Sequence, residues 1–238
     1  MNKETPQCWK DVDTVLQSGI DRVILYGPPG TGKTYAGLHT GDVENGSWRL
    51  ICTDDMTNFD VTGGFLPGSD GDFVWHDGAA IKAWRGSGVS GGRLVIDEID
   101  KAGGDVFATL LAVTDTIESA KWENPATGRI ESPKEGFTVV MTTNVENMDE
   151  LPPALKDRFP VAIRINEPHP EALGDLPYGL REYARRMADA GDRRISLRSF
   201  QAFAKIAAQT SDEEAARLLF ADRAEAFLDA IRIDKAVA

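Results

Sequence analysis

One segment near the start of the chain has the composition of a phosphate-binding loop. Residues 27–34 read GPPGTGKT, directly after the apolar run RVILYG and before a helical pattern. Glycines let backbone N–H groups turn toward an anion, and the start of a helix adds partial positive charge. Lys33 would then reach the β- and γ-phosphates of a nucleotide, and the Thr34 hydroxyl would bind Mg²⁺. The predicted nucleotide-binding residues are Gly27, Pro28, Pro29, Gly30, Thr31, Gly32, Lys33, Thr34 and Tyr35.

Two carboxylates end a second apolar run. Residues 93–98 read RLVIDE, and the carboxyl ends of parallel strands share one edge of a sheet, where ligands bind. We expect Asp97 to bind the Mg²⁺ through water, and Glu98 to polarise the water that attacks the γ-phosphate. A surface strand that ends in acids is common, so the pairing with the phosphate loop is what makes this prediction specific.

Two further polar residues follow later in the chain. Asn144 ends the run FTVVMTTN, and its amide could hold the attacking water or the γ-phosphate if its strand pairs between the two previous ones; otherwise it is a turn residue. The segment LPPALKDRFP, residues 151–160, predicts one helical turn from Ala154 to Asp157 with Arg158 at its exposed end. Taken alone, Arg158 is a solvated arginine after a tight turn.

The elements that must position these residues alternate along the chain. Short apolar runs separated by helical patterns indicate a mostly parallel sheet covered by helices on both faces. The predicted strands are Arg22–Gly27, Arg49–Thr53, Arg93–Asp97, Phe137–Thr142 and Val161–Ile165, and the clearest helices are Gly32–His39, Ala79–Arg85 and Asp105–Ile117.

The strand signal disappears after Pro170. Three amphipathic helices follow, with the apolar faces Leu180/Tyr183/Ala184/Met187, Phe200/Phe203/Ala207 and Ala224/Phe227/Leu228/Ile231. The sequence therefore predicts an α/β nucleotide-binding core over residues 1–166 and a small all-α lid over residues 167–238.

Composition excludes several classes of protein. The 238 residues carry a net charge of -12, which disfavours unspecific adhesion to nucleic acid or anionic membrane. Cys8 and Cys52 are too few for a disulfide framework or a thiolate zinc site, and the three histidines are too scattered to suggest a metal site. With neither a signal peptide nor a membrane span in sight, we expect a cytoplasmic protein.

Five motifs occur in a familiar order between Val23 and Phe200. GPPGTGKT, LVIDEID, TTN, ALKDRF and ISLRSF together resemble the AAA+ ATPases. The resemblance implies a five-stranded αβα core with a helical lid, ATP and Mg²⁺ as cofactors, and assembly into a ring, usually a hexamer. It also implies Walker A at Gly27–Thr34, Walker B at Asp97 and Glu98, sensor 1 at Asn144, an arginine finger at Arg158 that serves the next subunit, and sensor 2 at Arg198.

Two insertions narrow the resemblance. The segment between Thr53 and Ala79 contains the hairpin-like FLPGSDGDFVW, and AKWE and RIES flank an NPATG turn between Thr116 and Phe137. These look like the helix-2 insert and the pre-sensor-1 hairpin of the MoxR-like branch. In related rings such hairpins face the pore, so Phe73, Trp75 and Trp122 are candidates for contacts with a protein substrate, although ordinary hairpin packing explains them equally well. The branch also implies a partner with a von Willebrand factor A domain.

The function predicted on this basis is Mg-dependent ATP hydrolysis that drives remodelling or activation of a partner protein complex. One alternative is a DNA-directed motor or loader, and another is a nucleotide-gated scaffold with little turnover. A basic cluster in the lid fits either a nucleic-acid patch or a lid packed over ATP, which we favour; it comprises Arg181, Arg185, Arg186, Arg193, Arg194 and Arg198. ATP is preferred to GTP only because of the family resemblance.

Overall fold

The computed structural model describes residues 5–188, 190–191 and 194–237. They pack as two compact units. The sheet unit consists of Asp11–Gly27 and Lys33–Arg164, and the helical unit of the described residues of Met1–Lys10, Pro28–Gly32 and Ile165–Ala238. The predicted division into domains at residues 166 and 167 stays a prediction.

A five-stranded parallel sheet forms the centre of the sheet unit. Its strands are β1 (Arg22–Tyr26), β2 (Ser47–Ile51), β5 (Arg93–Asp97), β8 (Thr138–Thr142) and β9 (Val161–Arg164). They lie side by side in the order β2-β5-β8-β1-β9. All five residues of β5 are buried, as expected for a strand covered on both faces. Strand β2 begins two residues earlier than predicted because Ser47 already pairs with Arg93 at the start of β5.

The helices of this part of the chain precede β1 or lie between the strands. They are α1 (Gln7–Gln17), α2 (Lys33–His39), α3 (Asn58–Thr62), α4 (Ala79–Arg85), α5 (Gly104–Val113) and α6 (Pro153–Arg158). The prediction that α5 continues to Ile117 is wrong. Arg22 Nε donates to the Thr114 carbonyl oxygen over 2.8 Å and Arg22 Nη2 to the Asp115 carbonyl oxygen over 2.5 Å, so a strand residue binds the carbonyls where the helix stops.

Two antiparallel hairpins interrupt the alternation of strands and helices, and both confirm the hairpins predicted from the sequence. Strand β3 (Gly63–Pro67) pairs with β4 (Phe73–Asp77), and β6 (Trp122–Asn124) pairs with β7 (Arg129–Glu131). The second pair is one residue shorter on each strand than AKWE and RIES, and begins two residues after Ala120.

The helical unit contains five described α-helices, where the sequence predicted three. They are α7 (Pro170–Gly174), α8 (Tyr178–Met187), α9 (Leu197–Ala207), α10 (Asp212–Phe220) and α11 (Ala224–Val237). The missed helix α10 begins at a capping serine: the Ser211 hydroxyl accepts from the Glu214 N–H over 3.1 Å, and acids fill the first turn.

An aromatic cluster forms the core of the helical unit. Tyr183, Phe200, Phe203, Phe220 and Phe227 are buried and touch one another. The predicted apolar faces therefore point into this core, and the predicted fold class, a parallel αβα core followed by C-terminal helices, is confirmed. Among the described helices, none has the length and apolar character needed to cross a membrane.

Candidate active site

The ends of three neighbouring strands bring the predicted polar residues of the sheet unit together. Strand β8 lies between β5 and β1, which is the condition set for Asn144 and is thereby confirmed. Gly27 follows β1, Asp97 ends β5, and Asn144 lies two residues after β8. Because parallel strands end at one edge, these residues share that edge with the start of α2.

Lys33 is the central cation of this edge. It is buried, and its Nζ donates to the Gly27 carbonyl oxygen over 2.8 Å and to Asn144 Oδ1 over 3.2 Å. The ammonium is thus held by fixed acceptors, where it could neutralise phosphate oxygens.

Asp97 is the buried carboxylate of the site. Its Oδ1 accepts from the Thr34 hydroxyl over 2.8 Å and from the Thr142 hydroxyl, and its Oδ2 accepts from the Arg49 guanidinium. Burial by itself raises the pKa of Asp97, but the hydrogen bonds from Thr142, Arg49 and Thr34 and the Arg49 charge outweigh it, so the pKa is below its usual value. The carboxylate is therefore ionised at neutral pH.

This pair of oxygen donors fits Mg²⁺. Mg²⁺ prefers hard oxygen ligands and is usually held by one or two carboxylates together with substrate phosphates. Asp97 and Thr34 offer one ionised carboxylate and one hydroxyl. Within the described ranges, no group of three or more His, Cys, Asp or Glu side chains could hold a metal by itself, so phosphate oxygens and water would complete the ligand set. The predicted metal-binding roles of Thr34 and Asp97 stay predictions.

Glu98 adopts an unusual backbone conformation beside Asp97. Its φ of 59° lies in the left-handed region, which is uncommon for a residue with a side chain and clusters at functional sites. Its Oε1 accepts from Asn144 Nδ2 over 3.3 Å, and its Oε2 pairs with Lys101 Nζ at 2.7 Å. Asn144 thus links Glu98 to Lys33 through one amide, so the attacking water and the γ-phosphate could be placed by connected groups.

The middle of the phosphate loop, Pro28–Gly32, is fixed within the helical unit. The Thr31 carbonyl oxygen accepts from the His169 N–H over 2.8 Å, and the Thr31 hydroxyl donates to the Pro28 carbonyl oxygen over 3.1 Å. At Gly32, φ is 110° and an added Cβ would lie 3.0 Å from the His169 Cβ, so the backbone favours glycine and a larger residue would be crowded.

Trp9 packs against His169. The Trp9 Nε1 donates to the Glu167 carbonyl oxygen over 3.1 Å, and the rings of Trp9 and His169 meet edge to face with their centroids 4.7 Å apart. Tyr35, the last predicted loop residue, stacks its ring on His39 at 4.4 Å and is 49% exposed. The nucleotide contacts predicted for Gly27–Tyr35 stay predictions.

Arg158 has contacts outside the strand-end cluster. Arg158 Nη1 donates to the Ala154 carbonyl oxygen over 3.2 Å, and Nη2 lies 3.5 Å from Asp115 Oδ2. Its side chain is 32% exposed and Asp115 holds it against the protein, so the alternative of a simple solvated arginine is disfavoured. Arg198 is exposed at the second residue of α9. Both catalytic roles stay predictions.

The hairpin aromatics differ in their environment. Trp75 packs against Phe65 and Trp122 with ring centroids 5.3 and 5.6 Å apart, and its Nε1 donates to Asp77 over 2.8 Å. Phe73, in contrast, is 69% exposed. The contacts of Trp75 and Trp122 therefore favour hairpin packing, and Phe73 remains the candidate for binding a substrate.

We expect Trp75→Ala to lower the free energy of unfolding by about 1–2 kcal/mol, because a half-buried aromatic side chain loses two ring contacts. Phe73→Ala should change it by less than about 0.5 kcal/mol, as is usual for an exposed side chain. Urea unfolding followed by circular dichroism measures both. Equal losses for the two variants would contradict this division between packing and binding.

The lid arginines mostly bind within the helical unit. Arg181 donates to the carbonyl oxygens of Leu176 and Gly174, each over 2.8 Å. Arg185 pairs with Glu167 and Glu182, and the Arg186 guanidinium lies 5.7 Å from the centre of the Tyr183 ring. Arg193 lies outside the described residues. Contacts of these arginines within their own unit disfavour a nucleic-acid patch.

Sequence reasoning missed four residues around the site and the hairpins. Thr142 and Arg49 bind Asp97, Lys101 binds Glu98, and Ile130 is 72% exposed on β7. The signal for Arg49 and Thr142 was a polar residue inside an apolar run. No sequence signal pairs them with Asp97, since the contacts span 48 and 45 residues.

Cys52 is buried next to the acids of the site. Burial, followed by the charges of Asp97, Asp100 and Glu98, raises the pKa of its thiol to about 12. The thiol is therefore protonated at neutral pH and unsuited to nucleophilic chemistry.

Known proteins share parts of this sequence and fold. The chain is 30% identical over 154 residues to the Lon protease of Amoebophilus asiaticus (strain 5a2), covering 60% of this chain and 17% of that protein. It is similar to NtrX from Brucella abortus in complex with ATP, with a TM-score of 0.52 at 16% identity over 83% of this chain and 45% of the other. It is also similar to NtrX in complex with ADP, with a TM-score of 0.53 at 13% identity over 84% of this chain and 49% of the other. The chain thus spans less than a fifth of the curated relative and about half of the solved structures.

A parallel sheet with a glycine-rich GKT loop after β1 defines a P-loop ATPase fold. Residues 22–159, more than half of the chain, match the model of the AAA domain (dynein-related subfamily), so the chain belongs to this family of AAA+ ATPases. The predicted AAA+ class is confirmed, and with it ATP as the nucleotide of the domain. Members of the AAA+ class are generally oligomeric.

Proposed function

We propose that the chain hydrolyses ATP with Mg²⁺ in a ring-shaped oligomer, a hexamer as in the MoxR-like branch, and thereby remodels or activates a partner protein complex. The observation that carries the proposal is the strand-end cluster, in which Asn144 bridges Lys33 and Glu98 and Thr34 lies 2.8 Å from Asp97.

The reaction is ATP plus water to ADP plus phosphate. Thr34 and Asp97 would hold Mg²⁺, which would supply positive charge to the phosphates of ATP. Lys33 neutralises charge on the same phosphates, and the Glu98 carboxylate accepts a hydrogen bond from the attacking water and orients it. The Asn144 amide, which contacts both side chains, holds Glu98 in position relative to Lys33. Arg158 of the next subunit, and Arg198, would stabilise the charge on the transferred group.

Two exposed apolar side chains support a protein substrate. Phe73 on β4 and Ile130 on β7 are 69% and 72% exposed, and Trp75 and Trp122 connect their hairpins. Exposed apolar residues on a fixed support are typical of protein-binding surfaces. A partner with a von Willebrand factor A domain is proposed on the branch resemblance alone.

The experiment combines oligomer mass, DNA response and partner retention. Light scattering should show a larger particle with ATP than without nucleotide, and duplex DNA should leave ATP turnover unchanged. A Glu98→Gln variant in ATP should retain a protein partner in crosslinking, and Phe73→Ala added to it should reduce that retention at least about threefold.

Val89→Ala is the matched control, because Val89 is 89% exposed on a loop outside both hairpins. It should leave partner retention unchanged. DNA-stimulated turnover would favour the DNA-directed motor, and turnover near zero in the assembled ring would favour the scaffold.

A further inference from the structure

Arg49 contacts the buried carboxylate of the active site from the edge strand β2. Its Nε lies 3.1 Å from Asp97 Oδ2, and its Nη2 forms an ion pair with the same oxygen. The Arg49 side chain is 43% exposed, whereas that of Asp97 is 8% exposed. A half-exposed cation thus neutralises a buried anion.

The carboxylate of Asp97 has no acceptor position left. An ionised carboxylate has about four lone-pair sites. The hydroxyls of Thr34 and Thr142 donate to Oδ1, and two nitrogens of Arg49 donate to Oδ2. A divalent cation that approaches Asp97 must therefore displace a donor, and it meets the charge of the guanidinium.

Arg49 is the donor best able to leave. Thr142 is buried in the sheet, and Thr34 only has to rotate its hydroxyl to offer an oxygen to a metal. Among the described residues, the Arg49 guanidinium donates its hydrogen bonds to Asp97. A cavity of about 610 Å³ beside β2, lined by Arg49, Asp60, Asp77 and Lys82 among others, provides space for a displaced guanidinium.

We propose that Arg49 competes with the divalent cation for Asp97. Binding of the metal together with its nucleotide then releases Arg49 from Asp97, and Arg49 sets the metal concentration that this binding requires. The proposal rests on the proposed role of Asp97 as a metal ligand. Arg49 thus acts on the metal through Asp97 and is not itself a metal ligand.

The test measures metal demand without catalysis. A fluorescent ADP analogue is titrated into each variant at increasing Mg²⁺, and Mn²⁺ binding is followed directly by electron paramagnetic resonance. Arg49→Gln should lower the Mg²⁺ concentration for half-maximal nucleotide binding about tenfold. This is the low end of the effect expected from removing a like charge a few ångströms away. We expect the low end because solvent screens the charge of a half-exposed side chain. The difference should shrink at high salt.

Two variants control for charge. Arg49→Lys keeps the positive charge that opposes the metal, although it loses the paired contact of the guanidinium. Its Mg²⁺ requirement should remain within about twofold of wild type. Arg129→Gln removes the same charge from an exposed residue of β7 and should have no effect. Thermal unfolding in EDTA checks that all variants fold.

Each other outcome has a defined meaning. If Arg49→Gln needs more Mg²⁺ than wild type for half-maximal nucleotide binding, Arg49 anchors Asp97 for the metal and does not compete with it. The competition is also overturned if Arg49→Gln needs the same Mg²⁺ concentration as wild type, or if Arg49→Lys lowers that concentration as much as Arg49→Gln does. Asp97→Asn separates the two proposals. If it leaves the metal demand unchanged, the proposed metal site itself fails; if it abolishes metal-dependent binding while Arg49→Gln changes nothing, only the competition fails.

Discussion

Glu98→Gln is expected to lower the kcat of ATP hydrolysis by about 10²- to 10⁴-fold, the range of a general base, while ATP affinity stays within about threefold of wild type. Glutamine matches glutamate in size and keeps an oxygen that can accept from Asn144, which lies 3.3 Å from Glu98. It lacks the negative charge that polarises the attacking water. Phosphate release and equilibrium binding of a fluorescent ATP analogue measure the two quantities.

Glu146→Gln is the matched control for this substitution. Glu146 is exposed and follows Asn144 by two residues, so the same carboxylate-to-amide change there should leave kcat unaltered. Hydrolysis by Glu98→Gln at the wild-type rate would remove Glu98 from the mechanism. Loss of binding together with hydrolysis would instead show that the pairing of Glu98 with Lys101 supports the fold of the site.

The sequence predicts the sheet and the strand-end residues well for a physical reason. Each functional residue follows an apolar run directly, and parallel strands place all such ends at one edge. Asp97, Glu98 and Asn144 therefore converge whatever the details of the connecting segments. The one condition that the sequence left open, the pairing of β8 between β5 and β1, is met in the structure.

Contacts between distant segments escaped prediction because no local pattern encodes them. Arg49 and Asp97 lie 48 residues apart in sequence, and their pairing depends on β2 occupying the edge beside β5. The end of α5 is another case: its apolar stripe continues to Ile117, but Arg22 binds the carbonyls of Thr114 and Asp115. Tertiary hydrogen bonds here override helical periodicity.

Arg158 shows how structure refines a motif. Asp115 Oδ1 accepts from the Thr116 N–H over 2.8 Å, and Arg22 binds the Asp115 carbonyl, so the carboxylate beside Arg158 is itself fixed in place. The arginine is thus oriented by the sheet unit rather than left in solvent. A group intended for the nucleotide of a neighbouring subunit gains from such orientation, because less side-chain entropy is lost on contact.

The strongest test of a ring is complementation between two inactive variants. Lys33→Ala should lose phosphate binding, and Arg158→Ala should lose about 10³-fold or more in kcat if it acts as an arginine finger. In an equal mixture, about a quarter of interfaces would join an intact Lys33 to an intact Arg158 of the neighbour, the product of two halves for random assembly. Phosphate release by the mixture should therefore approach about a quarter of the wild-type rate when sites act independently.

A second mixture separates action on a neighbour from action within one subunit. Lys33 and Glu98 belong to the same strand-end cluster, connected through Asn144, so Lys33→Ala mixed with Glu98→Gln should show no rescue at any ratio. Rescue in the first mixture and none in the second assigns Arg158 to the neighbouring nucleotide. If the first mixture also stays inactive at all ratios, although light scattering shows that mixed particles form, Arg158 does not act across the interface.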